Sequence, residues 1–368
     1  MRDPRRFRAL TGAAVIALTA VGCAAPGGPI GDKAGGAPGG KVVLRMAVSY
    51  SSPSSAMKSF MDRVAALSGG NVRIEGLYGW GSFTPPADQE VVRAVAAGTV
   101  DLGDVAVRTF DTMAVKSFQA LTAPFLIDSY ELQTAVLRSD VQKAMLHGLG
   151  RVRVEGLAML AGGLLKPIAK RPLLTPVDWR GLTFATFMSN SEMETLRALG
   201  AMPKVAFGSF RWQGLTSGEI QAWEWPLESI NNSAAWIYPP HEITANVNLW
   251  PWIDVIVANP ARLATLTPEQ RGWLEQAARE ASERSPGLLT SDADLLSNLC
   301  AHGVRFGNAT EADLAQLRQA VAPIYSRLER DPQTRTFIAQ IESLKRSTPP
   351  DAPLTIPSGC AVMPQKSG

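Results

Sequence analysis

Along the chain, short apolar runs alternate with segments in which apolar residues recur every three or four positions, the spacings of strands and helices respectively. Val42 to Val48 reads as a buried strand. After Ser51, Ser52, Pro53 and Ser54 a helix is predicted with Met57, Phe60, Met61, Val64 and Leu67 on one face, stopped by Gly69-Gly70. Val72 to Leu77 is a second strand, Gln89 to Ala97 a short helix ended by Gly98, and Val100 to Val107 a third strand. Further on come a helix over Tyr130 to His147 and strands near Val152 to Met159 and Leu182 to Phe187. A helix then opens at Ser189-Asn190-Ser191, with Ser191 and Glu194 spaced as a capping box. From Thr267 a long helical pattern runs to Pro286 and resumes to about Leu299. Helix continues to about Leu344, before a Pro-rich tail. This alternation predicts an α/β fold.

The first forty residues follow a different rule. Arg2, Arg5, Arg6 and Arg8 precede an uncharged stretch from Ala9 to Gly22, too short to span a bilayer comfortably. A basic head, a short apolar core and small residues describe a secretory signal, here residues 1–22. Ala20-Val21-Gly22-Cys23 resembles the bacterial lipobox, with Ala20 where Leu is usual, and implies that Cys23 is lipidated and anchors the chain to a membrane. Residues 23–40, almost entirely Gly, Ala and Pro after the cysteine, have the composition of a flexible tether.

Loss of residues 1–22 takes the basic and acidic counts from 36 and 33 to 32 each. A neutral mature chain lacks the clustered basic face that nucleic-acid binding requires. With Cys23 acylated, Cys300 and Cys360 remain, and a disulfide between them is expected in an oxidising compartment; two unrelated thiols are the alternative. The only histidines, His147, His241 and His302, are too widely separated for a metal motif. The chain has no Gly-x-Ser-x-Gly elbow, zinc helix, phosphate loop or dinucleotide fingerprint. Neither an enzyme nor a bound cofactor is expected.

In open α/β sheets, ligands lie beyond the carboxyl ends of the strands. Those ends deliver Ser51, Arg108 and the turn from Phe187 through Ser189 to Ser191. Several colinear stretches add a resemblance. They are Ala96–Asp101 (AAGTVD), Leu121–Leu126 (LTAPFL), Arg171–Leu182 (RPLLTPVDWRGL), Leu199–Pro203 (LGAMP), Gly214–Pro226 (GLTSGEIQAWEWP) and Leu266–Glu280. Together they resemble the dicarboxylate-receptor family of TRAP (tripartite ATP-independent periplasmic) transporters.

The resemblance implies a two-lobed periplasmic-binding-protein-like (type II) fold with a cleft between the lobes and long C-terminal helices. Lobe I is expected over 41–164 with 250–300, lobe II over 165–249, helices over 301–345 and the tail over 346–368. It also implies an extracytoplasmic receptor that captures a small organic acid or aromatic, amphipathic solute and delivers it to an ion-gradient-driven TRAP permease. A two-lobed receptor for an ATP-driven importer or a sensor kinase stays open, as does a secreted hydrolase or lyase.

Two departures bear on the ligand. The family's substrate-clamping arginine corresponds to Ala185, so Arg108, with Lys166 behind it, is the expected substitute. Six of the nine tryptophans fall between Trp212 and Trp252. Trp212, Trp223, Trp225 and Trp250, with Glu224, are candidates for an aromatic-walled pocket. The Glu224-Trp225 pair also resembles the branch of the family that holds a cation with 2-oxo acids; no metal is the main expectation.

Overall fold

The computed structural model describes residues 40–362. The expected signal segment, Cys23, the tether up to residue 39 and residues 363–368 of the tail lie outside the described residues. Among the described residues no helix is long and apolar enough to cross a membrane.

The chain begins with β1 (Val42–Val48), α1 (Ser55–Leu67), β2 (Val72–Leu77), α2 (Ala87–Ala96) and β3 (Leu102–Ala106). Ser54 caps α1 by accepting from the Met57 amide, and the helix buries Met57, Phe60 and Val64. β1 pairs in parallel with both β2 and β3. Every residue of β3 is buried, as expected of a strand covered on both faces. The predicted helix over residues 130–147 is two helices, α3 (Tyr130–Arg138) and α4 (Asp140–His147). Ser139 ends the first and caps the second with its side chain. β4 (Glu155–Leu164) follows.

One residue later the chain enters a second sheet. This region holds β5 (Lys166–Ala169), α5 (Pro176–Trp179), β6 (Thr183–Thr186), α6 (Asn190–Ala198), β7 (Met202–Val205), α7 (Ser209–Ser217), β8 (Ala222–Trp225), α8 (Leu227–Asn232) and β9 (Glu242–Thr244). The chain returns through β10 (Pro251–Ala258), α9 (Pro260–Leu263) and α10 (Pro268–Arg284), the last opened by a capping box between Thr267 and Gln270. α11 (Asp292–Ala301) and β11 (Arg305–Gly307) go back to the second sheet, and α12 (Glu311–Leu328) and α13 (Pro332–Ser347) end the helical part.

The first sheet has the order β2-β1-β3-β10-β4, with β10 antiparallel to both neighbours. The second has the order β11-β9-β5-β8-β6-β7. Two mixed sheets with helices make the two-lobed α/β fold. One boundary differs from expectation. Leu295, Leu296 and Leu299 of α11 pack with Ile168, Leu215 and Phe306 in the core of the second lobe. The chain therefore changes lobes at residues 285–291, where Pro286 breaks the helical pattern, and not at residue 300.

Three segments cross between the lobes: residues 164–166, 245–250 and 285–291. The first two are hydrogen-bonded to each other, Leu165 N to Trp250 O at 3.0 Å and Leu249 N to Leu165 O at 3.0 Å. The C-terminal helices bridge the lobes as well. α12 packs on α5 and α6 of the second, and α13 on α3 and the 119–122 turn of the first. A disulfide joins Cys300 to Cys360, with the two Cα atoms 5.5 Å apart.

Candidate functional site

The carboxyl ends of β1, β3, β6 and β8 and the start of β10 meet between the two sheets. From the first lobe come Tyr50, Asp88, Arg108, Trp252 and Asp254. The second supplies Phe187, Glu192, Phe207, Arg211 and Glu224. The halves approach closely here, and a cavity of about 10 Å³ remains beside Tyr50, Asp88, Arg108, Phe187 and Phe207, room for about one water.

Arg108 lies just beyond β3 and is only 3% exposed. Its guanidinium carbon is 3.8 Å from the Phe187 ring centre and 4.0 Å from that of Trp252, one ring from each lobe. Its Nη2 is buried without a hydrogen-bond partner. Burial opposes its charge, but Tyr50, Glu192, Asp88 and Asp254 together hold it above the usual arginine range. Arg211 approaches the Phe187 ring at 4.3 Å and donates from Nε and Nη2 to Ala206 O at 3.2 and 3.1 Å. Burial lowers it to about 10, so it stays charged at neutral pH.

Local backbone chemistry sets these positions. Gly208 precedes α7 at φ 55° and ψ −134°, a conformation that favours glycine. A Cβ there would stand 2.6 Å from Phe83 Cβ. This turn aims Arg211 inward. At Gly162 a Cβ would come within 2.8 Å of the Trp252 indole, so the absent side chain makes room for that ring.

Two carboxyls face the arginines from the second lobe. Glu224 accepts from Thr186 Oγ1 at 2.8 Å through Oε1, while its Oε2 is buried and unpaired. Glu192 Oε2 is likewise buried and unpaired. Burial first, and Glu192 second, push Glu224 well above the usual carboxylate range. Burial pushes Glu192 up to about 7, with Arg108 pulling it down and Asp111 adding to the rise. In the first lobe burial raises Asp254 to about 6, although its oxygen accepts from Trp252 Nε1 at 2.8 Å.

The residues singled out from the sequence separate into two groups. Arg108, Phe187 and Glu224 converge in the cleft, and Trp225 stands at its edge, 5.8 Å from Arg211. The others do not converge there. Ser51 is exposed, and its neighbour Tyr50 takes the inward place. Ser189 caps α6, accepting from the Glu192 amide at 3.3 Å; the predicted capping pair Ser191 and Glu194 is thus two residues out of frame. Lys166 is fully engaged, donating to Ala245 O at 2.8 Å and Asn248 Oδ1 at 2.6 Å and pairing with Asp292 at 3.0 Å. No donor is left for a ligand.

Trp223 and Trp250 are core residues, each 1% exposed. Trp212 stacks on Tyr238 at 4.5 Å and lines an outer groove with it. The aromatic walls of the cleft are instead Tyr50, Phe187, Phe207 and Trp252, with Phe187 and Trp252 edge to face at 5.3 Å. Among the described residues no group of three His, Cys, Asp or Glu side chains is arranged to hold a metal ion. Arg211 and Glu192 are absent from the sequence-based set. The signal that could have found Arg211 is a lone cation between Phe210 and Trp212.

The model of the bacterial extracellular solute-binding protein family 7 matches residues 46–331. Over 243 residues the chain is 23% identical to the C4-dicarboxylate-binding periplasmic protein DctP of Rhodobacter capsulatus, covering 66% of this chain and 72% of the relative. Among solved structures, it is similar to a TRAP periplasmic solute-binding protein from Ralstonia eutropha H16 with bound (S)-2-acetolactate. The TM-score is 0.73 at 21% identity, over 83% of this chain and 99% of the other. A second such protein, from Roseobacter denitrificans with bound β-D-glucuronate, gives a TM-score of 0.72 at 18% identity, over 82% and 99%. At these identities the structural likeness speaks to the fold.

Proposed function

Because the chain belongs to bacterial extracellular solute-binding protein family 7, we propose that it captures a small organic acid in the interlobe cleft and passes it to an ion-gradient-driven TRAP permease. The observation that carries this reading is Arg108, buried between two rings with a donor unpaired. A guanidinium offers a carboxylate two parallel N–H bonds, the strong planar kind of contact. The relatives supply the same chemistry, since the acetolactate, glucuronate and C4-dicarboxylates in their names all carry carboxylates.

Capture proceeds by closure. The solute enters while the halves are apart and binds Arg108 of the first. Phe187 and Arg211 of the second then close over it. Ligand contacts made by both halves favour the closed arrangement over the open one, as differential binding requires. The receptor binds and releases its cargo without making or breaking bonds. Acylation of Cys23 would hold it at the outer face of the cytoplasmic membrane.

The test is a thermal-shift screen of residues 41–368 against organic acids, sugars, amines and aromatic compounds. A ligand at a hundred times its dissociation constant stabilises the folded state by about 2.7 kcal/mol. Arg108→Ala is expected to weaken any organic acid that scores by roughly ten- to a hundredfold. Arg108→Lys recovers little of the loss, since an ammonium neither stacks flat nor forks. Unchanged affinity in Arg108→Ala would refute the reading.

A further inference from the structure

The receptor reading leaves half of the cleft unexplained. One guanidinium suffices for one carboxylate, and Arg211 already spends two donors on Ala206 O. Opposite stand two carboxyls, Glu192 at 1% and Glu224 at 0% exposure, each with an unpaired Oε2. A buried acceptor without a donor is destabilising, and more so if it is charged. Nothing among the described residues donates to these two oxygens. Burial keeps a proton on Glu224, but Glu192 is largely ionised above pH 7, and its free oxygen is matched by a ligand that brings N–H or O–H groups of its own. A second carboxylate placed there would instead meet like charge.

Resting on that reading, we infer that the cleft selects carboxylic acids bearing hydroxyl or ammonium donors, with Glu192 and Glu224 as the acceptors that set specificity. The carboxylate goes to Arg108 and the donors to the glutamates. The carbon body lies between Tyr50, Phe187, Phe207 and Trp252, whose faces suit the C–H surface of a ring or short chain. Donor-free acids of the same skeleton leave both Oε2 atoms unpaired and bind more weakly.

Two matched series test this by calorimetry on the mature chain at pH 7.5. One is succinate, malate and aspartate; the other is cyclohexanecarboxylate, glucuronate and pipecolate. In each, the members carry no donor, hydroxyl donors or an ammonium. The expected result is that a hydroxylated or aminated member binds at least ~tenfold tighter than its donor-free counterpart, the worth of one hydrogen bond to a charged group. Glu192→Gln separates the two donor types, because Glu192, held at about 7, is largely ionised at pH 7.5 while Glu224 is kept neutral. It is expected to cost a hydroxylated ligand about tenfold and an ammonium ligand roughly a hundredfold or more, because only the ammonium needs the negative charge.

Succinate or cyclohexanecarboxylate binding as tightly as its substituted partners would overturn the inference while leaving the receptor reading intact. So would silence from every member of both series. The receptor reading falls separately, if a solute found in the wider screen binds equally well without Arg108. The wild-type comparison needs no variant to fold.

Discussion

Ala185 stands where the resemblance places a clamping arginine, and it is fully buried with Leu215 and Trp223 in the core of the second lobe. An arginine there would have to bury its charge among apolar side chains, at a cost of several kcal/mol. The buried cations of the cleft stand elsewhere, at Arg108 after β3 and Arg211 on α7. Strand ends can be read from hydrophobic runs, which is why Arg108 and Phe187 were legible. Arg211 was not, because helical spacing alone does not tell a cleft-facing turn from a surface one. The tryptophans failed for another reason: a ring is equally apolar in a core and in a binding wall, so Trp250 and Trp252 look alike until the sheets are placed.

The buried carboxyls predict a pH dependence. Glu192 titrates near 7 in the folded protein, above an unfolded value of about 4.3. A raised carboxyl favours the folded state when protonated. Its contribution is full below the unfolded value and is lost as pH rises through 7. The stability of the wild type relative to Glu192→Gln should therefore fall by up to about 3 kcal/mol between pH 4.5 and 7.5. Urea titrations of both proteins across that range would show the divergence. Parallel curves would mean that Glu192 is not held protonated.

At the scale of elements, helix starts were legible where the cap is local. Ser54 and Thr267 cap α1 and α10 with their own side chains. α6 was misframed because its start is completed from outside: the Asp111 carboxylate of the first lobe accepts from Ser191 N at 2.7 Å and Ser189 Oγ at 3.2 Å. No local pattern announces such a partner. Lys166 makes the same point for the crossings. It sits on the first crossing, bonds Ala245 and Asn248 on the second, and pairs with Asp292 just after the third. Removing one partner of a buried pair leaves the other uncompensated, so Lys166→Ala should lose about 3–5 kcal/mol of stability. Ligand affinity of the folded fraction should change little. A large affinity loss with normal stability would return Lys166 to the role of clamp.

For the whole molecule, alternation of strand and helix was enough to predict an α/β fold, and the two lobes followed from the family resemblance. Two features were beyond its reach. β10 enters the first sheet antiparallel between β3 and β4, about 150 residues after β3, and such pairing leaves no trace in local spacing. The third crossing was hidden inside a helical pattern that resumes on the other lobe. Non-local geometry decided both.

The disulfide links residues 60 apart and encloses both bridging helices, α12 on one lobe and α13 on the other. In the chain-entropy model this closure contributes about 4 kcal/mol. It has a second consequence, for survival after proteolysis. Arg330 is exposed at the turn between the two helices, and Arg335 in the first turn of α13. A trypsin cut there opens the backbone but releases no fragment, because Cys300 and Cys360 still join the pieces. The nicked protein should run as one band on a non-reducing gel and as two after reductant. Until then it should keep its ligand.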